Sequence, residues 1–204
     1  MDTAVGLVQT YLRVNGYFTV SEYPIVEYRT GYAAATDIDV LAFRFPGVAR
    51  VIPGEVAAPD HPPFVPDPHL EVPPGRADMI VAEVKEGTAE FNLSGRRSEV
   101  LAAALARFGC CEPGGARSTV AELLRTGRAA APHDHDIRLI AFGGTVGEGG
   151  SHAYRRITLG HVLRFLERWV GDHWEVLRHS PSKDPTLAFL ITLRKARGGD
   201  PEKT

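Results

Sequence analysis

The apolar positions of this 204-residue chain follow two patterns, one with the period of a helix and one typical of strands. Apolar side chains recur at three and four residues over 3–15, which predicts a first helix with Asn15-Gly16 as its C-terminal cap. Residues 17–28 are rich in aromatic and β-branched side chains and predict the first strand. Because Pro24 removes a backbone donor, this strand is expected at an edge of the sheet or with a bend.

Two more strands are predicted from short apolar runs, DIDVLAFRF at 37–45 and DMIVAEVKE at 78–86. Residues 29–36, between the first and second strands, are expected to form a turn. Residues 46–77 hold nine of the chain's fifteen prolines, and proline is excluded from regular helix and from central strands. This segment is therefore predicted to be a long surface loop inserted between the second and third strands.

The second half of the chain is predicted to consist of helices around one more buried strand. The predicted elements are a helix over 98–108 with Ser98 as N-cap, a shorter helix over 118–126, a strand over 133–144, a helix begun by Thr158, and a final helix from Asp184-Pro185 to about Arg194. The run TLAFLITL in the last helix could alternatively be a strand. Residues 198–204 are expected to be a frayed tail. The chain length fits one domain spanning 1–204.

The composition is that of an ordinary globular protein, with 44% hydrophobic and 24% charged residues. No run of about 18 apolar residues predicts a membrane span, and the first residues lack the features of a signal peptide. The two cysteines, Cys110 and Cys111, are sequence neighbours and offer neither metal-ligand spacing nor a disulfide framework. We therefore expect a cytoplasmic protein with no membrane partner.

The charge is distributed unevenly along the chain. Residues 1–93 carry 6 basic and 13 acidic side chains, a net charge of −7, whereas residues 94–204 carry 17 basic and 12 acidic side chains, a net charge of +5. An acidic metal centre beside a basic, phosphate-contacting surface has this distribution. Chance scatter of charges could produce the same difference, so it supports a nucleic-acid partner without establishing one.

Charged side chains inside two predicted strands are the main candidates for chemistry. Because side chains alternate along a strand, Glu83 and Lys85 share one face of theirs, and Asp37 and Asp39 share one face of the second strand. If these strands pair, a carboxylate from each can meet the ammonium group at one point of the sheet. Two carboxylates and the backbone carbonyl of Val84 suit Mg²⁺ or Mn²⁺, which prefer oxygen ligands. The plainer alternative is a strand end at which the charged pair reaches solvent.

The run TDIDVLA followed by IVAEVKEG, after an opening helix and strand, resembles the PD-(D/E)XK, or restriction-endonuclease-like, nuclease superfamily over roughly residues 1–145. The resemblance implies an α/β fold with an αβββαβ core, a mixed central sheet flanked by helices, to which this chain adds C-terminal helices. It also implies that Asp39 is the strand-two aspartate and that Glu83 and Lys85 supply the (D/E)XK element. The carboxylates would bind metal and Lys85 would assist the attacking water.

The chain departs from the superfamily at the first helix, where many members carry a glutamate. This helix offers only Asp2 and Gln9. Glu22 on the first strand is the candidate substitute. Asp37 is either a second metal ligand or a turn residue, and we favour the turn residue.

The function that the resemblance implies is a Mg²⁺- or Mn²⁺-dependent nuclease acting on DNA. Arg96 and Arg97, which follow the third strand, and Arg155 and Arg156 are the candidates for contact with the phosphate backbone, with solvated surface arginines as the default. Cutting both strands calls for two sites, so a homodimer is a reasonable expectation. A partner subunit that supplies DNA specificity is equally compatible.

Other interpretations stay open. A catalytically inactive protein of the same fold would bind nucleic acid or a partner protein, and the missing helix-one glutamate motivates this alternative. A nucleotidyltransferase built around the two strand-two aspartates would also bind metal, although the expected Gly-Ser loop does not precede them. His133 and His135 would place two imidazoles on one side of a strand and could bind zinc, with a polar lead-in to the strand as the plainer interpretation.

Overall fold

A computed structural model of the chain describes residues 2–28, 31–47, 65–92, 95–112, 114–147, 152–179 and 182–198. The helices are α1 (Thr3–Val14), α2 (Ser98–Arg107), α3 (Ala116–Thr126), α4 (Leu159–Asp172), α5 (Trp174–Leu177) and α6 (Pro185–Ala196), with a 3₁₀ helix at Pro68–Leu70. The strands are β1 (Phe18–Tyr28), β2 (Tyr32–Arg44), β3 (Ala77–Thr88), β4 (Arg128–Ala131), β5 (His135–Thr145) and β6 (Arg155–Thr158). None of the described helices has the length and hydropathy needed to cross a membrane.

The described strands form one mixed sheet in the order β1-β2-β3-β5-β4, and β6 also pairs with β5. β1 with β2 and β2 with β3 are antiparallel, whereas β3 and β5 run parallel. Helices flank both faces: Leu12 of α1 and Val162 of α4 pack with Ile80 of β3 on one face, and Leu101 of α2 packs with Val81 on the other. The fold is therefore α/β, with a mixed sheet between helical layers, as the sequence predicts.

The predicted helix starts at Thr158 and Asp184 are confirmed, and both residues act as N-caps. Thr158 caps α4 by accepting a hydrogen bond from the His161 N–H at 3.1 Å, and Asp184 caps α6 by accepting from the Leu187 N–H at 3.0 Å. The run TLAFLITL lies in α6, so the strand alternative is wrong. The cap predicted for α2 is wrong by one residue, because Ser98 is its first residue and Arg97 its N-cap.

The strands are confirmed where a long apolar run marks them. β1 is an edge strand of the sheet, as Pro24 predicts. The turn predicted over 29–36 is too long, because β2 begins at Tyr32 and continues the antiparallel pairing with β1 as far as Tyr28. The two four-residue strands β4 and β6 have no signal of their own in the sequence, since both gain their hydrogen bonds by lying along β5.

Part of the proline-rich segment packs against the sheet. Residues 48–64 of the predicted 46–77 loop lie outside the described residues, as do 199–204 of the predicted tail. The prediction of a surface loop is wrong for the stretch around the 3₁₀ helix, where Leu70 is fully buried and Asp67 is 3% exposed. Leu70 is held there because its carbonyl accepts a hydrogen bond from Arg138 Nη1 at 2.5 Å.

A buried ion pair joins the parallel strands β3 and β5. Arg138 donates to both carboxylate oxygens of Asp78, at 2.8 Å from Nε and 2.5 Å from Nη2. Tyr17 donates from its hydroxyl to the same carboxylate at 2.5 Å. Burial alone would lower the pKa of Arg138, but the hydrogen bond and the charge of Asp78 outweigh it and raise that pKa, so the Arg138 guanidinium is charged.

Gly143 and Gly144 let the end of β3 approach β5. The pairing of β3 with β5 shifts between Lys85 and Thr88, which makes a bulge directly after Lys85. A Cβ on Gly143 would lie 2.4 Å from the Ala89 backbone nitrogen, and one on Gly144 would lie 2.2 Å from a backbone carbonyl oxygen. The absence of a side chain at these two glycines therefore permits the close backbone approach that follows Lys85.

We expect Gly143→Ala to lower the free energy of unfolding by about 1–3 kcal/mol, because backbone must move to admit the methyl group. Gly87→Ala is the matched control, since an added Cβ there has nothing within 4 Å. Urea denaturation of both variants measures the difference. Equal midpoints for the two would contradict the close approach.

Candidate active site

The site lies where β2 parts from β3. The two strands pair from Arg44 and Asp78 as far as Val40 and Ala82. One residue further on, the Asp39 carboxylate accepts a hydrogen bond from the Val84 N–H at 2.7 Å. The Asp39 side chain thus takes a backbone donor of β3 and is held at the opening between the strands.

The neighbouring strand β1 is irregular at the same level. Glu22 lies between the pairs that Ser21 and Tyr23 make with β2, and it has a positive φ of 52°. Such a backbone conformation is uncommon outside glycine and is often found at functional sites. The Glu22 carboxylate accepts a hydrogen bond from the Asp2 N–H at 3.2 Å, which connects the start of α1 to this opening.

Glu83 is the buried carboxylate of the site, with 6% of its surface exposed. Its Oε1 accepts a hydrogen bond from Asn92 Nδ2 at 2.6 Å. The Asn92 side chain in turn accepts from the Gly95 N–H, and a Cβ at Gly95 would lie 3.0 Å from Glu83 Oε2. The Asn92 side chain, itself held by the Gly95 N–H, therefore fixes the orientation of the Glu83 carboxylate.

The pKa values of Glu83 and Asp39 are both raised. Burial raises the pKa of Glu83 to about 7, with the charge of Asp39 adding to the effect and Lys85 opposing it. Burial also raises the pKa of Asp39, to which the charge of Asp2 contributes, while the Val84 N–H and Lys85 lower it. A buried carboxylate and a half-buried one beside an ammonium group form an arrangement that a divalent cation would stabilise.

We expect Glu83→Gln to flatten the pH dependence of stability in metal-free protein. The pKa of Glu83 rises from its ordinary value of 4.5 to about 7 on folding, so the folded state binds more protons between these values. The stability that this group contributes is full below about pH 4.5 and is lost as the pH rises through about 7. Wild type should therefore lose stability relative to Glu83→Gln between about pH 5 and pH 8.

Denaturation in the presence of a chelator at several pH values measures this effect. The exposed neighbour Glu86, changed to glutamine, is the control and should follow the wild type. Parallel stability curves for wild type and Glu83→Gln would show that Glu83 titrates normally.

The remaining carboxylates predicted from the sequence lie around this centre. Asp37 lies within β2 opposite Pro24, so the favoured interpretation of it as a turn residue is wrong. It is exposed, and its charge contributes to the raised pKa of Asp39. The Asp2 carboxylate caps α1 by accepting from the Ala4 N–H at 2.7 Å, and Gln9 donates to Ser21 Oγ at 3.3 Å. The first helix thus brings one carboxylate near Asp39, and that carboxylate is engaged in capping.

The predicted arginine pairs are distributed over both faces of the sheet. Glu83 of β3 pairs with Ala141 of β5, which pairs with Arg156 of β6, so the three side chains point to the same face of the sheet. Two strand spacings separate the Cα atoms of Arg156 and Glu83 by roughly 10 Å. Arg155 points to the opposite face, where it donates to Glu71 Oε1 at 2.5 Å. The two residues therefore cannot contact one phosphate together from a single face.

Arg96 and Arg97 directly follow Gly95, which lies beside the Glu83 carboxylate. Arg96 is exposed, donates from its N–H to the Asn92 carbonyl at 3.3 Å, and places its guanidinium 5.8 Å from the centre of the Tyr154 ring. Arg97 is the N-cap of α2. The backbone of both residues is therefore near the Glu83 side of the opening.

A second polar cluster was not predicted from the sequence. Asp67 precedes the 3₁₀ helix that contains His69, and His161 lies in the first turn of α4. His161 Nε2 lies 2.6 Å from Asp67 Oδ2, and His69 Nδ1 lies 3.4 Å from Asp67 Oδ1. Asp67-Pro68 repeats the Asp-Pro cap signal of α6 and could have marked this helix start.

Among the described residues this cluster, and not His133 with His135, has the spacing of a metal site. His133 is exposed, whereas His135 is buried against Phe43 with 5.8 Å between ring centres. The two imidazoles that were considered as zinc ligands therefore lie in different surroundings.

Comparison of the chain with models of known protein families, with curated proteins and with solved structures found no match.

Proposed function

We propose that the chain is a metal-dependent nuclease, with DNA as the substrate class, whose centre is formed by Asp39, Glu83 and Lys85. The observation that carries the proposal is that the buried Glu83 carboxylate, the half-buried Asp39 carboxylate and the Lys85 ammonium group lie close enough at the opening between β2 and β3 to act on one another electrostatically. The Val84 carbonyl is the proposed third oxygen ligand. Mg²⁺ or Mn²⁺ suits such a ligand set, since both prefer oxygen and retain exchangeable waters.

The order of the elements supports a restriction-endonuclease-like core. Helix α1 precedes the antiparallel strands β1, β2 and β3, and two helices then lead to β5, which lies parallel to β3. This order is compatible with the αβββαβ core that the resemblance implies, if one of the two helices and β4 are insertions before β5. In this interpretation β6 and the helices from α4 onward are additions to the core.

The residues of the site have distinct roles in the proposed reaction. A bound Mg²⁺ would supply an activated water and neutralise charge on the phosphate. Asn92 keeps the Glu83 carboxylate aimed at the opening, and the Val84 N–H does the same for Asp39. Lys85 would orient the attacking water and offset the negative charge that develops on the phosphoryl oxygens.

Incubation of the purified chain with linear, circular, branched and single-stranded DNA and with RNA, at about pH 8, tests the proposal. We expect cleavage that needs Mg²⁺ or Mn²⁺, disappears in Glu83→Gln and persists in the exposed control Glu86→Gln. No cleavage of any substrate, or equal cleavage by both variants, would contradict it.

A catalytically inactive nucleic-acid or protein-binding module is the second candidate. It is favoured by the engagement of the Asp2 carboxylate in capping α1, which leaves the first helix without a free carboxylate for the site. DNA binding without metal-stimulated cleavage would support this candidate. Efficient Mg²⁺-dependent cutting would exclude it.

A further inference from the structure

We propose that Asp67, His69 and His161 form a second metal site, which binds a late first-row divalent ion, Zn²⁺ in the first instance. One carboxylate oxygen and one ring nitrogen from each histidine lie within 4.8 Å of one another. Two imidazoles and a carboxylate are a ligand set that suits Zn²⁺, whereas Mg²⁺ prefers oxygen ligands throughout. The cluster, which we call the Asp-His-His site, is independent of the proposed nuclease function.

The Asp67 carboxylate is fixed before any ion binds. It accepts hydrogen bonds from the Tyr11 hydroxyl at 2.7 Å and from the His69 backbone N–H at 2.9 Å. The Asp67 N–H donates to Asn15 Oδ1 at 2.7 Å, which anchors the backbone of the same residue. Hydrogen bonds of this kind orient metal ligands, so Asp67 needs little rearrangement to bind an ion.

The charge balance at the Asp-His-His site favours a cation. Asp67 is 3% exposed, and a buried carboxylate is costly unless a positive group compensates it. Among the described residues, the side chains within ion-pair distance of Asp67 are those of His69 and His161. A divalent ion between neutral imidazoles supplies the positive charge without protonating either ring.

The two histidine rings are packed together in a way that suits shared coordination. Their centres are 3.9 Å apart and their planes are tilted by 32°. Two imidazolium groups at this distance would repel each other, whereas two neutral imidazoles can both ligate one ion. The His69 side chain is 58% exposed, so the site is open to solvent. A tetrahedral ion with three protein ligands would take water as its fourth ligand.

The bound ion would hold the stretch around the 3₁₀ helix against α4. The Asp-His-His site and the proposed nuclease centre lie at different ends of α1. The charge of Asp2, at the start of the helix, acts on Asp39, whereas Tyr11, near its end, donates a hydrogen bond to Asp67. Nine residues of helix separate these contacts by roughly 13 Å. The two sites can therefore be tested separately.

Calorimetric titration of metal-free protein with Zn²⁺ at about pH 7.5, with thermal unfolding in parallel, is the test. We expect Zn²⁺ to bind at the Asp-His-His site and to raise Tm by about 5–10 °C at a free concentration of about 100 times Kd. His69→Ala keeps the backbone N–H that contacts Asp67, and His161→Asn removes the ring from α4. Each variant should weaken binding by at least about tenfold.

His179→Ala removes another exposed histidine and should bind as wild type does. The double variant Asp39→Asn, Glu83→Gln should also bind Zn²⁺ as wild type does. Loss of Zn²⁺ binding in His69→Ala, with retention in both controls, would establish the Asp-His-His site. No binding by wild type, unchanged binding by His69→Ala, or loss in the Asp39, Glu83 variant would overturn it.

Discussion

Changing Asp78 to asparagine is expected to lower the free energy of unfolding by about 3–5 kcal/mol, because it leaves the Arg138 guanidinium buried without its counter-charge. Asp78 is fully buried and the Arg138 side chain is 5% exposed, so water cannot replace the lost partner. For a chain of this length the loss corresponds to a fall in Tm of about 6–20 °C. Thermal and urea denaturation measure it.

Two further variants separate the ion pair from other causes. Glu175→Gln removes the partner of Arg178 in an exposed ion pair and should cost no more than about 1 kcal/mol. Replacing both Asp78 and Arg138 with apolar residues of similar volume should recover much of the stability that Asp78→Asn loses. A loss in Asp78→Asn no larger than that in Glu175→Gln would contradict the buried pair.

Lys85→Met is expected to reduce metal-dependent cleavage by about 10²–10⁴-fold, the range for losing a positioned group that transfers a proton or stabilises developing charge. The change leaves both proposed carboxylate ligands in place, so affinity for Mg²⁺ should fall far less than the cleavage rate. Because Lys85 lowers the pKa of Glu83, the comparison belongs at about pH 8.5 or above, where more of Glu83 is ionised.

The exposed Lys195, changed to methionine, is the control for this prediction and should cut as wild type does. Single-turnover rates at saturating Mg²⁺ separate the chemical step from metal binding. A Lys85→Met rate within about threefold of wild type would remove Lys85 from the proposed mechanism.

The elements that could be predicted are those whose own residues, or the residues just before them, form a recognisable sequence pattern. The cap residues Thr158 and Asp184 stand at the helix starts that they stabilise, and the apolar runs of β3 and β5 mark central strands. The strands β4 and β6 could not be found in this way, because four residues become a strand only through the hydrogen bonds that β5 offers. The early start of β2 at Tyr32 depends in the same way on pairing with β1.

The centre of the candidate site was predictable because strand alternation and pairing place Asp39 close to Glu83 and Lys85. Its surroundings were not. Asn92 follows Glu83 by nine residues, through a bulge and a stretch without regular structure that no periodicity describes.

The Asp-His-His site was hidden from sequence reasoning for a related reason. His161 stands 94 residues from Asp67, and only the packing of α4 against the sheet brings them together. Its other members lie in a proline-rich stretch that predicts a surface loop. Buried residues held by long-range contacts within such a stretch leave little trace in local patterns.

Calorimetric titration with Mg²⁺ and Mn²⁺ at about pH 8 tests the proposed nuclease centre most directly, since it needs no knowledge of the substrate. Wild type, the double variant Asp39→Asn, Glu83→Gln and the His69→Ala variant would be compared, with folding checked by circular dichroism. We expect wild type and His69→Ala to bind the ion and the folded double variant to lose it. Absence of binding in wild type, or equal binding in wild type and the double variant, would contradict a metal centre at Asp39 and Glu83.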